Sequence, residues 1–172
     1  MTSLAFACLL VGGIVLLLAA VLLTYAAGRP FPHRRVYPDG MRKLLAALLK
    51  RGYDTGVLRL EVQVGDRPFI QFRKHISAPG VCGIEFGFPN AAWSRTTFPV
   101  MQEVVEKAGF AYEVRPTDSD QTTAFLCVDL GRDVDKADLL ARTALEKGLG
   151  VSADTAVTGF LMGISARDER IC

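Results

Sequence analysis

The chain has 172 residues, a formal net charge of +2, and 50% hydrophobic residues. So small a net charge disfavours a nucleic-acid-binding protein, because such domains are usually strongly basic. The sequence contains no glycine-rich phosphate-binding loop and no regular set of metal ligands. We therefore expect no cofactor, no metal and no nucleic-acid partner.

Residues 4–27 form an apolar run of 24 residues without a charged side chain. As a helix this run would be roughly 36 Å long, which is enough to cross a hydrocarbon core of about 30 Å. Its leucine, valine, isoleucine and phenylalanine side chains together favour insertion by roughly 4–8 kcal/mol. The run predicts that residues 1–28 are a single-pass transmembrane anchor whose partner is the lipid bilayer.

A cleaved signal peptide is the alternative interpretation of this run. Signal peptides have a basic start, an apolar core of about 7–15 residues and a small-residue cleavage site. Ala26, Ala27 and Gly28 weakly resemble such a site, but no basic residue precedes the run and the run is too long. These features favour the anchor.

Basic residues follow the apolar run, and none precedes it. Arg29, Arg34 and Arg35 lie just after it, and residues 29–74 contain 11 basic and 4 acidic side chains. Lysine and arginine near the end of a span stay on the cytoplasmic side. We therefore predict a protein of the bacterial inner membrane with its N-terminus outside and its domain in the cytoplasm, the three arginines contacting headgroups. An ordinary solvated surface would give the same charge pattern.

The four cysteines do not form a C-x-x-C pair. With Cys8 in the predicted span, Cys82, Cys127 and Cys172 remain, which is an odd number. This pattern is typical of reduced thiols in the cytoplasm rather than of a secreted disulfide framework.

The chain after the anchor divides into a linker and one domain. Residues 29–38 contain three prolines and predict a juxtamembrane linker. Residues 39–172 predict the domain, which begins with a helix capped by Asp39 and ended by Gly52. The apolar stripe of this helix fits packing on a sheet or lying on the membrane surface, and its short length favours the sheet. The stripe consists of Met41, Leu44, Leu45 and Leu48.

The periodicity then changes to alternation, which indicates strands. Strands are predicted over residues 58–64, 70–75, 82–88, 110–114 and 122–130, with helices over residues 99–108 and 133–147 and a further strand over residues 156–164. The order α-β-β-β-α-β-β-α, with this further strand after it, predicts a two-layer α+β domain in which helices cover a mainly antiparallel sheet. This order is similar to that of bacterial type III secretion chaperones, and no sequence motif accompanies the similarity.

Two groups of side chains are candidates for chemistry. Cys82 could be a nucleophile with His75 as its base, but it shares a strand face with apolar residues, which indicates a core position. Acidic residues cluster after Asp129, but Asp133 is better explained as a helix N-cap, and Asp135 and Asp138 fit the positive end of the helix dipole.

Trp93 lies in a loop between a predicted strand and a predicted helix, where an exposed aromatic residue would serve as a partner contact. Alternatively, it closes one end of the core. The main functional hypothesis is a non-catalytic interaction or regulatory module that binds a protein partner or a second copy of itself. The alternative is a small membrane-bound enzyme that uses Cys82 and His75 or the acidic residues near Asp129.

Overall fold

The computed structural model describes residues 31–34, 36–117 and 120–165. The part of the chain after Pro30 forms a compact unit of its own. The predicted anchor, residues 1–28, lies outside the described residues. Among those that are described, no helix is both long and apolar enough to cross a membrane.

The unit contains a seven-stranded sheet in which every neighbouring pair is antiparallel. Counted along the chain, the strands are β1 Phe31–Arg34, β2 Gly52–Val62, β3 Phe69–Ala78, β4 Val81–Asn90, β5 Glu113–Thr117, β6 Asp120–Asp129 and β7 Val157–Ile164. Their order across the sheet is β1-β7-β2-β3-β4-β6-β5. Alternation along β2, β3 and β4 turns one apolar face inward, as the sequence predicts.

Three helices supply the second layer. They are α1 Met41–Arg51, α2 Phe98–Lys107 and α3 Val134–Thr143, and α3 continues directly into a π-helical turn, Ala144–Gly148. The predicted stripe of α1 is fully or almost fully buried in the same core as the inward strand residues. This confirms the α+β fold and shows that α1 packs on the sheet.

The start of the domain differs from the prediction. Instead of a linker, Phe31–Arg34 forms the edge strand β1, which pairs with β7. Pro32 is tolerated there because an edge strand needs only some of its N–H groups for pairing. The prediction of Asp39 as an N-cap is wrong, since Gly40 occupies that position without a side-chain cap. The predicted end of α1 at Gly52 is confirmed.

Some strand boundaries also differ. Val64 lies beyond β2 and is exposed. Phe110 and Tyr112 precede β5 and pack against the core from a loop, so their alternation is not that of a strand. β6 lies between β4 and β5, which agrees with its apolar side chains on both faces.

A lysine lies in the core, which the sequence pattern did not predict. Lys74 follows Phe72 on the inward face of β3 and is fully buried. Its Nζ donates a hydrogen bond to the Leu49 carbonyl oxygen at 2.7 Å. Leu49 is in the last turn of α1, where carbonyls have no partner within the helix. The ammonium group therefore caps α1 from the sheet, and its burial lowers the pKa of Lys74.

Candidate functional site

The helices pack on one face of the sheet, and the opposite face, here called the open face, presents polar and charged side chains. Its rows follow from the strand register: Arg59 pairs with Gln71, Gln71 with Gly87, and Gly87 with Cys127. In the next row Arg73 pairs with Glu85 and Glu85 with Asp129. Side chains opposite one another in a pair are close enough to interact.

Glu85 joins two arginines at the centre of the open face. Arg73 Nη2 donates to Glu85 Oε1 at 3.3 Å, and Arg115 from β5 donates to Glu85 Oε2. Arg115 Nε also lies 3.3 Å from Glu113 Oε2. The hydrogen bond to Glu85 raises the pKa of Arg115, which therefore stays charged. The carboxylate fixes both guanidinium groups and reduces the number of conformations each arginine can adopt.

This trio borders a cavity of about 200 Å³. The cavity is also lined by Gln71, Gly87, Phe125 and Cys127. A Cβ atom at Gly87 would lie 3.2 Å from the Gln71 Cγ and 3.5 Å from the Phe125 ring. Glycine at this position therefore keeps the cavity open, which gives the open face a concave centre.

Cys127 is a free, buried thiol at this cavity. Burial is the main cause that raises the pKa of Cys127, and the nearby Glu85 carboxylate raises it further. A thiol with a raised pKa contains little thiolate at neutral pH and is a poor nucleophile. Cys127 therefore acts as a small side chain of the cavity wall.

The structure separates Cys82 from its predicted base His75. Cys82 is buried beside the core, as its strand face predicted, and His75 lies on the open face. The expectation that Cys82 is a reduced thiol is wrong, because Cys82 is disulfide-bonded. Its sulfur is therefore not a nucleophile in this structure, and the proposed catalytic pair is not formed.

His75 instead lies beside Asp129, with its Nε2 3.4 Å from Asp129 Oδ1. The imidazole occupies space over Gly83, where an added Cβ would come within 2.5 Å of Nε2. Asp129 Oδ1 also accepts a hydrogen bond from the Gly131 N–H at 3.0 Å. These contacts give the aspartate a structural role in the turn before α3.

The other acidic residues near Asp129 have partners too. Asp133 accepts hydrogen bonds from the N–H groups of Asp135 and Lys136, which confirms it as the N-cap of α3. Asp135 pairs with Arg42 at 2.7 Å, and Asp138 pairs with Arg142 at 2.9 Å. Within the described residues no three potential ligands are placed to hold a metal ion.

Trp93 is partly buried against the core. Its ring centroid lies 5.2 Å from that of Phe69 and 5.7 Å from that of Phe88. Ser94, which is buried, fixes the loop by donating to the Pro89 carbonyl oxygen at 2.5 Å. These contacts favour the interpretation of Trp93 as the end of the core, although its other side borders a shallow depression beside Val64 and Leu149.

The three arginines predicted to contact headgroups are described only in part. Arg29 and Arg35 lie outside the described residues, and Arg34 pairs through its backbone with Thr158 in β7. After them, the turn before α1 is hydrogen-bonded to α3 and to the π-helical turn that follows it. Tyr37 Oη donates to Glu146 Oε1 at 2.6 Å, and Arg142 donates to the Pro38 carbonyl oxygen at 2.5 Å.

The hydrogen bond between Tyr37 and Glu146 predicts a pH dependence of stability. The hydrogen bond to Glu146, with a smaller effect of burial, raises the pKa of Tyr37 to about 12. Because the folded-state pKa lies above the unfolded value, the contact stabilises the domain below about pH 10, and this contribution is lost between about pH 10 and 12. Tyr37→Phe should lower the stability of the domain at neutral pH. It should also remove the part of the loss of stability above about pH 10 that comes from ionisation of Tyr37. Denaturant unfolding of both chains across this range measures the difference, and identical pH profiles would contradict the assignment.

The sequence does not predict Arg73, Glu85 and Arg115 as one unit. Alternation placed Gln71, Arg73 and Glu85 on outward faces, and the β3–β4 hairpin register would have paired Arg73 with Glu85. Arg115 could not be added, because its strand was predicted to end at Val114 and no local signal joins β5 to β6 beside β4.

Comparison with known proteins adds no assignment: no protein-family model, curated protein or solved structure matches the chain.

Proposed function

We propose that this chain is a single-pass membrane protein whose domain is a non-catalytic interaction module, and that the open face binds a protein partner. The observation that supports this most is the fixed trio of Arg73, Glu85 and Arg115 beside a cavity on the open face, against which no helix of the described residues packs. Arginine is enriched in protein interfaces, and the residues that contribute most to the binding free energy cluster at well-packed pockets.

The exposure of the trio suits recognition. The Glu85 side chain is only 12% exposed, whereas those of Arg73 and Arg115 are 42% and 45% exposed. The largely buried carboxylate thus holds the guanidinium groups on the side that faces the sheet, while their outer edges face solvent. A partner that binds these edges loses less side-chain entropy than one that must order free arginines. Carboxylates or backbone carbonyls of the partner are the acceptors that fit them.

The cysteines support binding over nucleophilic catalysis. Of the two that the structure describes, Cys82 is disulfide-bonded and the pKa of Cys127 is raised. The enzyme hypothesis therefore loses Cys82 as its nucleophile. Among the residues named in that hypothesis, His75 and Asp129 are in hydrogen-bonding contact, and Asp129 also fixes the turn at Gly131.

The proposed location rests on the sequence. The apolar run in residues 4–27 and the arginines after it support a location of the domain at the cytoplasmic face of a bacterial inner membrane. Confinement to a membrane raises the effective concentration of the domain near membrane-bound partners. A disulfide at Cys82 agrees with this location only if it is transient, because cytoplasmic disulfides are usually transient or redox-sensing.

Site-specific crosslinking in cells tests the binding surface. A photoreactive amino acid at Gln71, on the open face, should crosslink the full chain to a defined protein or to a second copy. The matched control is the same amino acid at Leu139, which is exposed on α3. Adducts at Leu139 and none at Gln71 would contradict the proposed surface. The mass of the Gln71 adduct would distinguish a second copy from another protein.

A further inference from the structure

We infer that the partner binds the open face through an acidic, extended segment, with one carboxylate at the trio already described and another at a second arginine cluster on the same face. The second cluster consists of Arg59, Glu61 and Arg67. This inference rests on the proposed function, because it names the chemistry of the protein that the open face binds.

The second cluster repeats the arrangement of the trio around a different carboxylate. Arg59 Nη2 lies 3.3 Å from Glu61 Oε2, and Arg67 Nη1 lies 3.9 Å from Glu61 Oε1. Gln63 Nε2 also donates to Glu61 Oε1, at 3.4 Å. The Glu61 side chain is only 11% exposed, whereas those of Arg59 and Arg67 are 37% and 69% exposed. The carboxylate is again largely buried, and the guanidinium groups that it holds reach solvent.

Strand alternation places the second cluster on the open face. Both neighbours of Arg59 in β2 are buried in the core, so Arg59 and Glu61 point to the opposite face. The guanidinium carbon of Arg59 lies 3.7 Å from the centre of the Phe69 ring, a cation–π contact that further fixes this arginine. Arg59 pairs with Gln71, which lines the cavity beside the trio. Gln71 therefore lies between the second cluster and the cavity.

The separation of the two buried carboxylates determines how long the bound segment must be. Glu61 in β2 and Glu85 in β4 are two strands apart, which amounts to roughly 10 Å across the sheet. Glu61 pairs with Phe69, and Glu85 pairs with Arg73, which is four positions further along β3, or about 13 Å. The two clusters are therefore roughly 16 Å apart, a distance that an extended chain covers in about five residues.

The charges of the open face favour carboxylates as the groups bound. Each cluster combines two guanidinium groups with one carboxylate, which gives each a net charge of +1, and carboxylates are strong acceptors for guanidinium groups. Glu113, the other acidic contact of Arg115, is 75% exposed, so solvent weakens its competition. RNA would need a strongly basic domain, and the net charge of the chain is only +2. An acidic protein segment is therefore the occupant that these charges favour.

Mapping the crosslink formed in cells tests the chemistry of the partner. A photoreactive amino acid at Gln71 of the full chain lies between the two clusters, and mass spectrometry of the adduct identifies the attached residues. We expect a protein segment that contains at least two Asp or Glu residues within about eight positions of the attachment site. A neutral or basic protein segment would overturn the inference and leave the proposed protein-binding function intact. An adduct with RNA or lipid, or no adduct, would reject both.

A synthetic peptide of the crosslinked segment then tests the second cluster. Its affinity for the full chain in detergent should fall roughly 10-fold or more when its acidic residues are replaced with the corresponding amides. Arg67→Gln, a change at an exposed turn residue, should weaken binding of the acidic peptide by about 5-fold and leave binding of the amide peptide unchanged. Arg42→Gln, which removes an exposed arginine of α1, is the matched control and should affect neither peptide. Equal affinities of the two peptides, or an equal effect of Arg67→Gln on both, would overturn the inference.

Discussion

Replacing Trp93 with alanine is expected to lower the free energy of unfolding of the domain by about 3 kcal/mol. The indole packs against Phe69 and Phe88, with an edge-on arrangement toward Phe88. Removing it deletes these aromatic contacts and leaves a cavity at the end of the core. The effect should be somewhat smaller than for a fully buried aromatic residue because one side of Trp93 borders solvent.

Denaturant unfolding measures this loss. Tyr53→Ala is the control, because Tyr53 is 51% exposed and should change stability by less than about 0.5 kcal/mol. Trp93→Phe should recover part of the loss by restoring an aromatic contact. If Trp93→Ala retained full stability and only weakened binding of the crosslinked protein, Trp93 would be a partner contact and its structural role would be rejected.

Neutralising Arg73, Glu85 and Arg115 together is expected to weaken partner binding by roughly 100-fold, which corresponds to about 2.7 kcal/mol. The variant replaces Arg73, Glu85 and Arg115 with glutamine together. Removing all three charges leaves no buried carboxylate of the trio unpaired, and Glu113, which also contacts Arg115, is exposed, so stability should change by only about 1 kcal/mol. Affinity for the protein identified by crosslinking at Gln71 is the quantity to measure.

The control for this variant is an ion pair on the helix side of the domain. Arg42 and Asp135 are both exposed and lie 2.7 Å apart. Arg42→Gln with Asp135→Asn removes a similar pair without changing the open face, so affinity should be unchanged. Equal losses in both variants would show that the loss of affinity is not specific to the open face.

Much of the fold could be predicted because its strongest signals are local. The stripe in α1 and the alternation in β2, β3 and β4 each indicate a buried face without knowledge of the neighbours. Asp133 as an N-cap and Gly52 as a helix end are similarly local. These elements alone were enough to infer helices on one side of an antiparallel sheet.

The errors arose where distant contacts decide the structure. Phe31–Arg34 is a strand only because β7, more than a hundred residues later, provides a partner for it. Lys74 is buried because its ammonium group reaches the unpaired Leu49 carbonyl of α1. Neither contact is visible in the sequence around the residue concerned. Proline there argues against a strand, and lysine argues against a core position.

The candidate site shows the same limit. Alternation placed Arg73 and Glu85 on an outward face, but the site also needs Arg115 from a strand that reaches β4 only through β6. Gly87 acts through its lack of a Cβ atom, which leaves space beside Gln71. The cysteine count has the same limit, because an odd number of cysteines outside the predicted span favours reduced thiols, whereas Cys82 is disulfide-bonded.

The central claim is that the domain is held at a membrane by residues 1–28. The most direct test is extraction of membranes with alkaline carbonate from cells that contain the full chain, followed by detergent. We predict that the intact chain stays in the membrane pellet after carbonate and is released only by detergent, because an apolar helix of this length remains in lipid. Recovery of the chain in the carbonate supernatant, or of a shorter form that begins near Gly28, would contradict the account.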